Sequence, residues 1–140
     1  MVERDPAAVL TALDAALNAH NLEAALSCFA DDAVVRYEPP PPPPSPATYV
    51  GREAIRGLLQ TLIAENIHVQ AEPYQVEGEW VTCRERRIFA DRHERMGGNP
   101  VIVTCDSIVR AGKIEALVMT FSPESLQRIQ AALARQTGPG

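Results

Sequence analysis

Three charged residues in the second half of the chain, Glu85, Arg87 and Asp106, carry the chemistry this sequence offers. Side chains alternate faces along a strand, so parity sets Glu85 and Arg87 beside Val81, Cys83 and Phe89. A two-residue hairpin at Ala111-Gly112 would pair Asp106 with Leu117 and Thr104 with Met119, on a face shared with Ile102, Ile108 and Phe121. A charge among such neighbours needs a partner, because an unpaired ion in an apolar setting is costly. Two readings follow. In one, Arg87 pairs with Glu85 or Asp106, fixes the strand register and does no chemistry. In the other, a desolvated carboxylate with a raised pKa serves as general acid or base, and Arg87 orients it or holds an anionic substrate group. Tyr37 and Tyr49 supply a polar handle nearby, or simply pack.

The elements that must hold these residues form a meander: strands Glu79–Arg92, Val101–Arg110 and Lys113–Phe121. Met96-Gly97-Gly98-Asn99-Pro100 breaks the first pair and Arg110-Ala111-Gly112-Lys113 the second. Both faces are mostly apolar, unlike a sheet with one side in water. The chain's own helices can cover one face, and a second copy of the chain is the simplest cover for the other.

In chain order, residues 6–19 read as a helix with Pro6 in its first turn and Val9, Leu10, Leu13, Ala16 and Leu17 at helical spacing. Asn21 caps a short second helix carrying Leu22, Ala25, Leu26 and Phe29. Asp31-Asp32 reads as a turn and Ala33–Tyr37 as a short strand. The prolines Pro39 to Pro44, with Pro46, must be polyproline II, either a stiff surface loop or a ligand for proline-recognising modules. Gly51 to Glu65 is a third helix, Ile67–Val76 an extended strand with Pro73 marking an edge or bulge, and Ser122 caps a last helix before a frayed tail, Gln136–Gly140.

A chain of 140 residues with 46% hydrophobic and 22% charged content reads as one globular domain, residues 1–140. A net charge of -5 without a basic run argues against nucleic acid, and no apolar stretch is long enough for a membrane span. Glu3-Arg4-Asp5 ahead of an amphipathic pattern is not a signal peptide. Cys28, Cys83 and Cys105 lack C-x-x-C spacing, which favours packed thiols in a cytoplasmic protein over disulfides. His20, His68 and His93 lack ligand-spaced partners, so no metal and no cofactor is expected.

The element order, with Ala15-Ala16-Leu17-Asn18-Ala19, Cys28-Phe29-Ala30-Asp31-Asp32-Ala33-Val34-Val35, Tyr49-Val50-Gly51-Arg52-Glu53-Ala54-Ile55 and Gly112-Lys113-Ile114, resembles the nuclear transport factor 2-like superfamily and its SnoaL-like branch over nearly the whole chain. The resemblance implies an α+β cone, a strongly curved antiparallel sheet wrapped around N-terminal helices in a cystatin-like roll. It implies a deep apolar pocket with Glu85, Arg87 and Asp106 at its base, bounded by Tyr37, Tyr49, Cys83, Phe89, Leu117, Met119 and Phe121. It also implies a homodimer through the outer sheet face. Against ketosteroid isomerase, the base falls on Tyr37 and the oxyanion tyrosine on Leu13, and only Asp106 matches. Against limonene-epoxide hydrolase, the arginine falls on Glu85 and the two aspartates on Arg87 and Met119, with Val35 and Tyr37 on the first strand. Neither mechanism carries over. The expectation is a small-molecule-binding protein with an apolar pocket, working as a cofactor-free isomerase, cyclase or hydrolase by acid–base chemistry. The alternative is a non-catalytic binding or accessory domain with a structural ion pair.

Overall fold

The computed structural model describes residues 5–38, 47–89 and 100–137. Helix α1, Pro6–Asn18, opens on Asp5, whose carboxylate accepts from the Ala7 amide at 3.0 Å. Helix α2, Leu22–Leu26, opens on Asn21, which accepts from the Ala24 amide at 3.1 Å. Strand β1 is Phe29–Glu38, longer than expected. Asp31 and Asp32 lie inside it, where its pairing slips between Phe29 and Val34. Strand β2, Thr48–Val50, was not anticipated; it pairs antiparallel with β1 and leads to Gly51, whose φ of 86° suits glycine. Helix α3 is Arg52–Ala64.

The expected Ile67–Val76 strand is two pieces, β3 Ile67–Ala71 and β4 Gln75–Glu77, parted at Pro73. Both pair with successive parts of β5, Trp80–Phe89. Strand β6 is Val101–Arg110, β7 is Lys113–Phe121, and α4 runs from Pro123 to Thr137. The strands order as β2-β1-β7-β6-β5-β3, with β4 beside β5, in a curved, unclosed sheet of an α+β fold. Pairing is antiparallel except between β1 and β7, which run parallel. The proline segment 39–46, the strand extension to Arg92, most of the first meander turn and the last residues of the tail lie outside the described residues.

Helices α1 and α3 cover one face of the sheet. Leu10, Leu17, Ile55, Ile67 and Ile114 are wholly buried between the layers. Each such side chain contributes about 1.5–3 kcal/mol through burial. The stripe spacing in the sequence is what puts them there. At one end of the sheet β1 and β7 finish, β6 begins and β5 reaches Phe89, so the strand termini and the start of α4 gather together.

Candidate active site

β3 closes one side of the sheet, and its odd residues turn their amides outward, away from β5. Asn18, at the end of α1, meets that edge. Its amide nitrogen donates to the Val69 carbonyl at 2.9 Å, and its oxygen accepts from the Val69 amide at 2.6 Å. His20 bonds the Ile67 carbonyl through Nε2 at 3.0 Å. The helix end thus protects an exposed edge as a neighbouring strand would, and it fixes where α1 lies. Asn18→Ala is expected to lower stability by about 1–3 kcal/mol in chemical denaturation, since both Val69 groups lose their partner. A loss within a few tenths would show that the clamp is incidental.

One helical turn before Asn18 stands Asp14, on the same side of α1. Val69 pairs with Arg87 and Ala71 with Glu85 across β3 and β5, so this turn brings Asp14 over Glu85. Three charged side chains meet there, all buried. Arg87 Nε donates to Glu85 Oε1 at 3.1 Å, with both side chains almost fully enclosed. Asp14 hydrogen-bonds to Glu85 and accepts from the hydroxyl of Tyr74, which follows Pro73 in the β3–β4 connection. On the far side of Arg87 lies Tyr37, stacked on Phe121 at 5.7 Å and edge-on to Tyr49 at 6.3 Å.

These surroundings set the protons. Burial, and then the negative charge of Glu85, raise the Asp14 carboxyl to about 7, against the opposing pull of Tyr74 and Arg87. The Asp14 carboxyl therefore keeps its proton up to neutral pH beside Glu85. Burial opposes the charge on Arg87, but Glu85 more than restores it and the guanidinium stays protonated. Burial pushes the Tyr37 phenol up to about 12, and burial with the nearby carboxylates does the same to the Cys83 thiol. Burial and Glu85 hold the Cys105 thiol well above its ordinary range. Tyr37, Cys83 and Cys105 are thus neutral groups, while Asp14 can give up or take a proton near pH 7.

Of the residues expected from sequence, Glu85, Arg87, Cys83, Phe89, Leu117 and Met119 are buried on the helix-facing side with Tyr37, while Phe121 and Tyr49 are half-buried beside it. Asp106 is not there. Its side chain lies on the outer face, accepting from Thr82 Oγ1 at 3.0 Å, across from Val118. The hairpin is indeed two residues, with Ala111 and Gly112 at φ 51° and 74°. However, Val109 pairs with Ile114 and Ile108 with Ala116, so Glu115 is an extra, bulged residue. Its carboxylate is held by Arg110 Nη1 at 2.8 Å. Beyond the bulge every β6 residue exchanges faces relative to the unbulged register, and Cys105, directly opposite both Cys83 and Met119, takes the interior place expected of Asp106.

Asp14 and Tyr74 were missed by the sequence reading. Asp14 did leave a signal, as a carboxylate at the margin of the stripe containing Leu10, Leu13 and Leu17. Tyr74 was hidden by the assumption of one continuous strand. A separate surface cleft of about 530 Å³ opens beside Pro100, Ile102, Glu124, Gln127, Arg128 and Ala131, and none of the three interior charges lines it.

No curated protein matches this chain in sequence. Solved structures share its fold. A nuclear transport factor 2-like protein of unknown function from Mesorhizobium loti has 22% identity and a TM-score of 0.67, with 84% of this chain and 90% of that chain covered. A candidate polyketide cyclase from Sinorhizobium meliloti has 21% identity and a TM-score of 0.65 over 79% and 92%. A candidate ketosteroid isomerase from Kribbella flavida has 12% identity and a TM-score of 0.66 over 84% and 77%. The SnoaL-like domain family matches residues 9–117, covering most of α1, all of α2 and α3, strands β1 to β6, the first half of β7 and all three interior charges. With the curved sheet and its helical cover, this match decides the classification: the chain belongs to the SnoaL-like domain family.

Proposed function

We propose that this protein binds a small apolar molecule against the helix-facing side of the sheet and moves protons on it, as an isomerase or cyclase does. The observation that carries the reading is the Asp14–Glu85 pair. Asp14, raised to about 7, has a proton to exchange near neutral pH, with Arg87 bonded to Glu85 and Tyr74 donating to Asp14. A general acid or base works best when its pKa lies near the working pH. Glu85 is held by Arg87, and Asp14 is the group that exchanges its proton with the ligand. Tyr37, a neutral phenol, is placed to donate to a developing oxyanion. The family match and the fold-level neighbours named as cyclase and isomerase support this class of chemistry. The test is hydrogen–deuterium exchange at the α-carbon of 2-tetralone in D2O, followed by NMR. The expected result is acceleration over buffer of about a hundredfold or more, lost in Asp14→Asn and Glu85→Gln. Exchange at the buffer rate would contradict the reading.

A non-catalytic binding or accessory domain is the second reading. It is favoured by how completely Glu85 and Arg87 are enclosed, at 2% and 5% exposure. The same exchange experiment separates the two.

The outer sheet face supports a homodimer. Trp80 is 55% exposed there, and its cross-strand partner Ile108 and Val118 remain only half-buried within one chain. A solution mass of one chain by light scattering would exclude it. The three buried cysteines, none of them in a disulfide, suit a reducing, cytoplasmic setting, and among the described residues no helix is long and apolar enough to cross a membrane.

A further inference from the structure

The interior contains two carboxyl groups and one guanidinium, and Glu85 already balances the guanidinium's charge. Among the described residues, Asp14, Glu85 and Arg87 are the buried charged side chains. Arg87 Nε donates to Glu85 Oε1 at 3.1 Å, and Tyr37 interacts with the same guanidinium. The other arginines in ion pairs sit at the surface. Arg36 meets Glu38, Arg52 meets Asp31, Arg56 meets Glu23, Arg84 meets Glu72, and Arg110 meets Glu79 and Glu115. An anion entering this interior therefore finds a neutralised cation and a second carboxyl group. It would leave its hydration shell without gaining a countercharge.

We infer that the site selects its ligand by charge: it takes a molecule whose polar end is uncharged or basic, excludes carboxylates and phosphates, and holds a protonated amine through Asp14. This deepens the proposed function and rests on it. It also removes one role that the sequence allowed, that of Arg87 as a receptor for an anionic substrate group.

The selection should vary with pH, because Asp14 releases its proton near neutrality. The groups facing Asp14 are Tyr74 from the β3–β4 connection, Glu85, Arg87 and Cys83 from β5, and Cys105 from β6. Only Arg87 among them is cationic, and Glu85 balances it. When Asp14 ionises, the interior passes from neutral to a net charge of minus one. A cationic ligand then gains a partner, an anionic ligand meets a repulsion, and a neutral ligand is little affected.

Three probes of one size separate these cases: benzyl alcohol, benzoate and benzylamine, with rings that suit the Tyr37, Tyr49 and Phe121 surface. Binding to the full chain is measured by calorimetry at pH 6 and pH 8. Benzoate is expected to bind at least about tenfold more weakly than benzyl alcohol at both pH values. Benzylamine, protonated throughout, is expected to tighten about tenfold between pH 6 and pH 8. Asp14→Asn should abolish that gain. Benzoate binding as tightly as benzyl alcohol would overturn the charge selection while leaving a small-molecule site in place. A pH-independent benzylamine affinity in the wild type would overturn the role of Asp14. Failure of all three probes to bind would overturn the binding reading together with this inference.

Discussion

Arg87→Met is expected to cost about 3–5 kcal/mol of stability, the loss seen when one partner of a buried ion pair is removed. The methionine fills much of the arginine's volume, so the cost is electrostatic. Glu85, 2% exposed and bonded to Arg87, would be left beside Asp14 with no countercharge. Two like carboxyls in a desolvated site take up protons rather than ionise together. The loss should therefore be larger at pH 8 than at pH 5. Replacing both residues, as Glu85→Leu with Arg87→Met, should recover most of it, because apolar groups of similar volume often substitute for a buried pair without loss. Urea unfolding of the two single variants and the double variant gives the coupling directly. A single-variant loss below about 1 kcal/mol would place this pair with exposed surface pairs. It would also leave the interior without the electrostatic tension on which the proposed chemistry depends.

The second large effect is a dependence of stability on pH that runs opposite to ordinary acid denaturation. The native Asp14 carboxyl is raised to about 7, whereas in the unfolded chain it titrates in the ordinary aspartate range. Between those values the folded protein binds more protons than the unfolded one, so stability falls as pH rises through the window. Below the window Asp14 carries no penalty. Each pH unit across it withdraws about 1.4 kcal/mol. The full cost of ionising Asp14 in place is about 4 kcal/mol above neutral pH. Asparagine resembles the protonated acid in shape and hydrogen bonding. Asp14→Asn should therefore gain about that much on the wild type between pH 4 and pH 8, read from unfolding curves at matched ionic strength. Comparing the two proteins cancels the contributions of the other carboxylates. Parallel pH profiles for variant and wild type would remove the raised pKa from the account.

The helices and the sheet were legible because their patterns are local. The stripe from Val9 to Leu17 and the alternation from Val81 to Phe89 each bury the residues that their periods select. Glu85 and Arg87 were found because parity within one strand needs no partner. Asp106 was misplaced because its face depends on pairing across a hairpin, and one extra residue, Glu115, reverses that pairing. The trace was present in β7, where buried Ile114 and Leu117 stand three apart and break the period of two. β2 was missed because three residues between a proline run and a helix carry no period of their own. Asp14 was missed for another reason. A carboxylate at the margin of an amphipathic stripe reads as solvated, and only the docking of α1 on the β3 edge through Asn18 turns it inward. Interior chemistry on a helix is a tertiary property in this fold.

The most direct measurement is a carbon-13 NMR titration of the side-chain carboxyls, with the Asp14 resonance identified by its absence in Asp14→Asn. The expected midpoint is about 7. An Asp14 midpoint in the ordinary aspartate range would contradict the raised carboxyl and the acid–base function drawn from it.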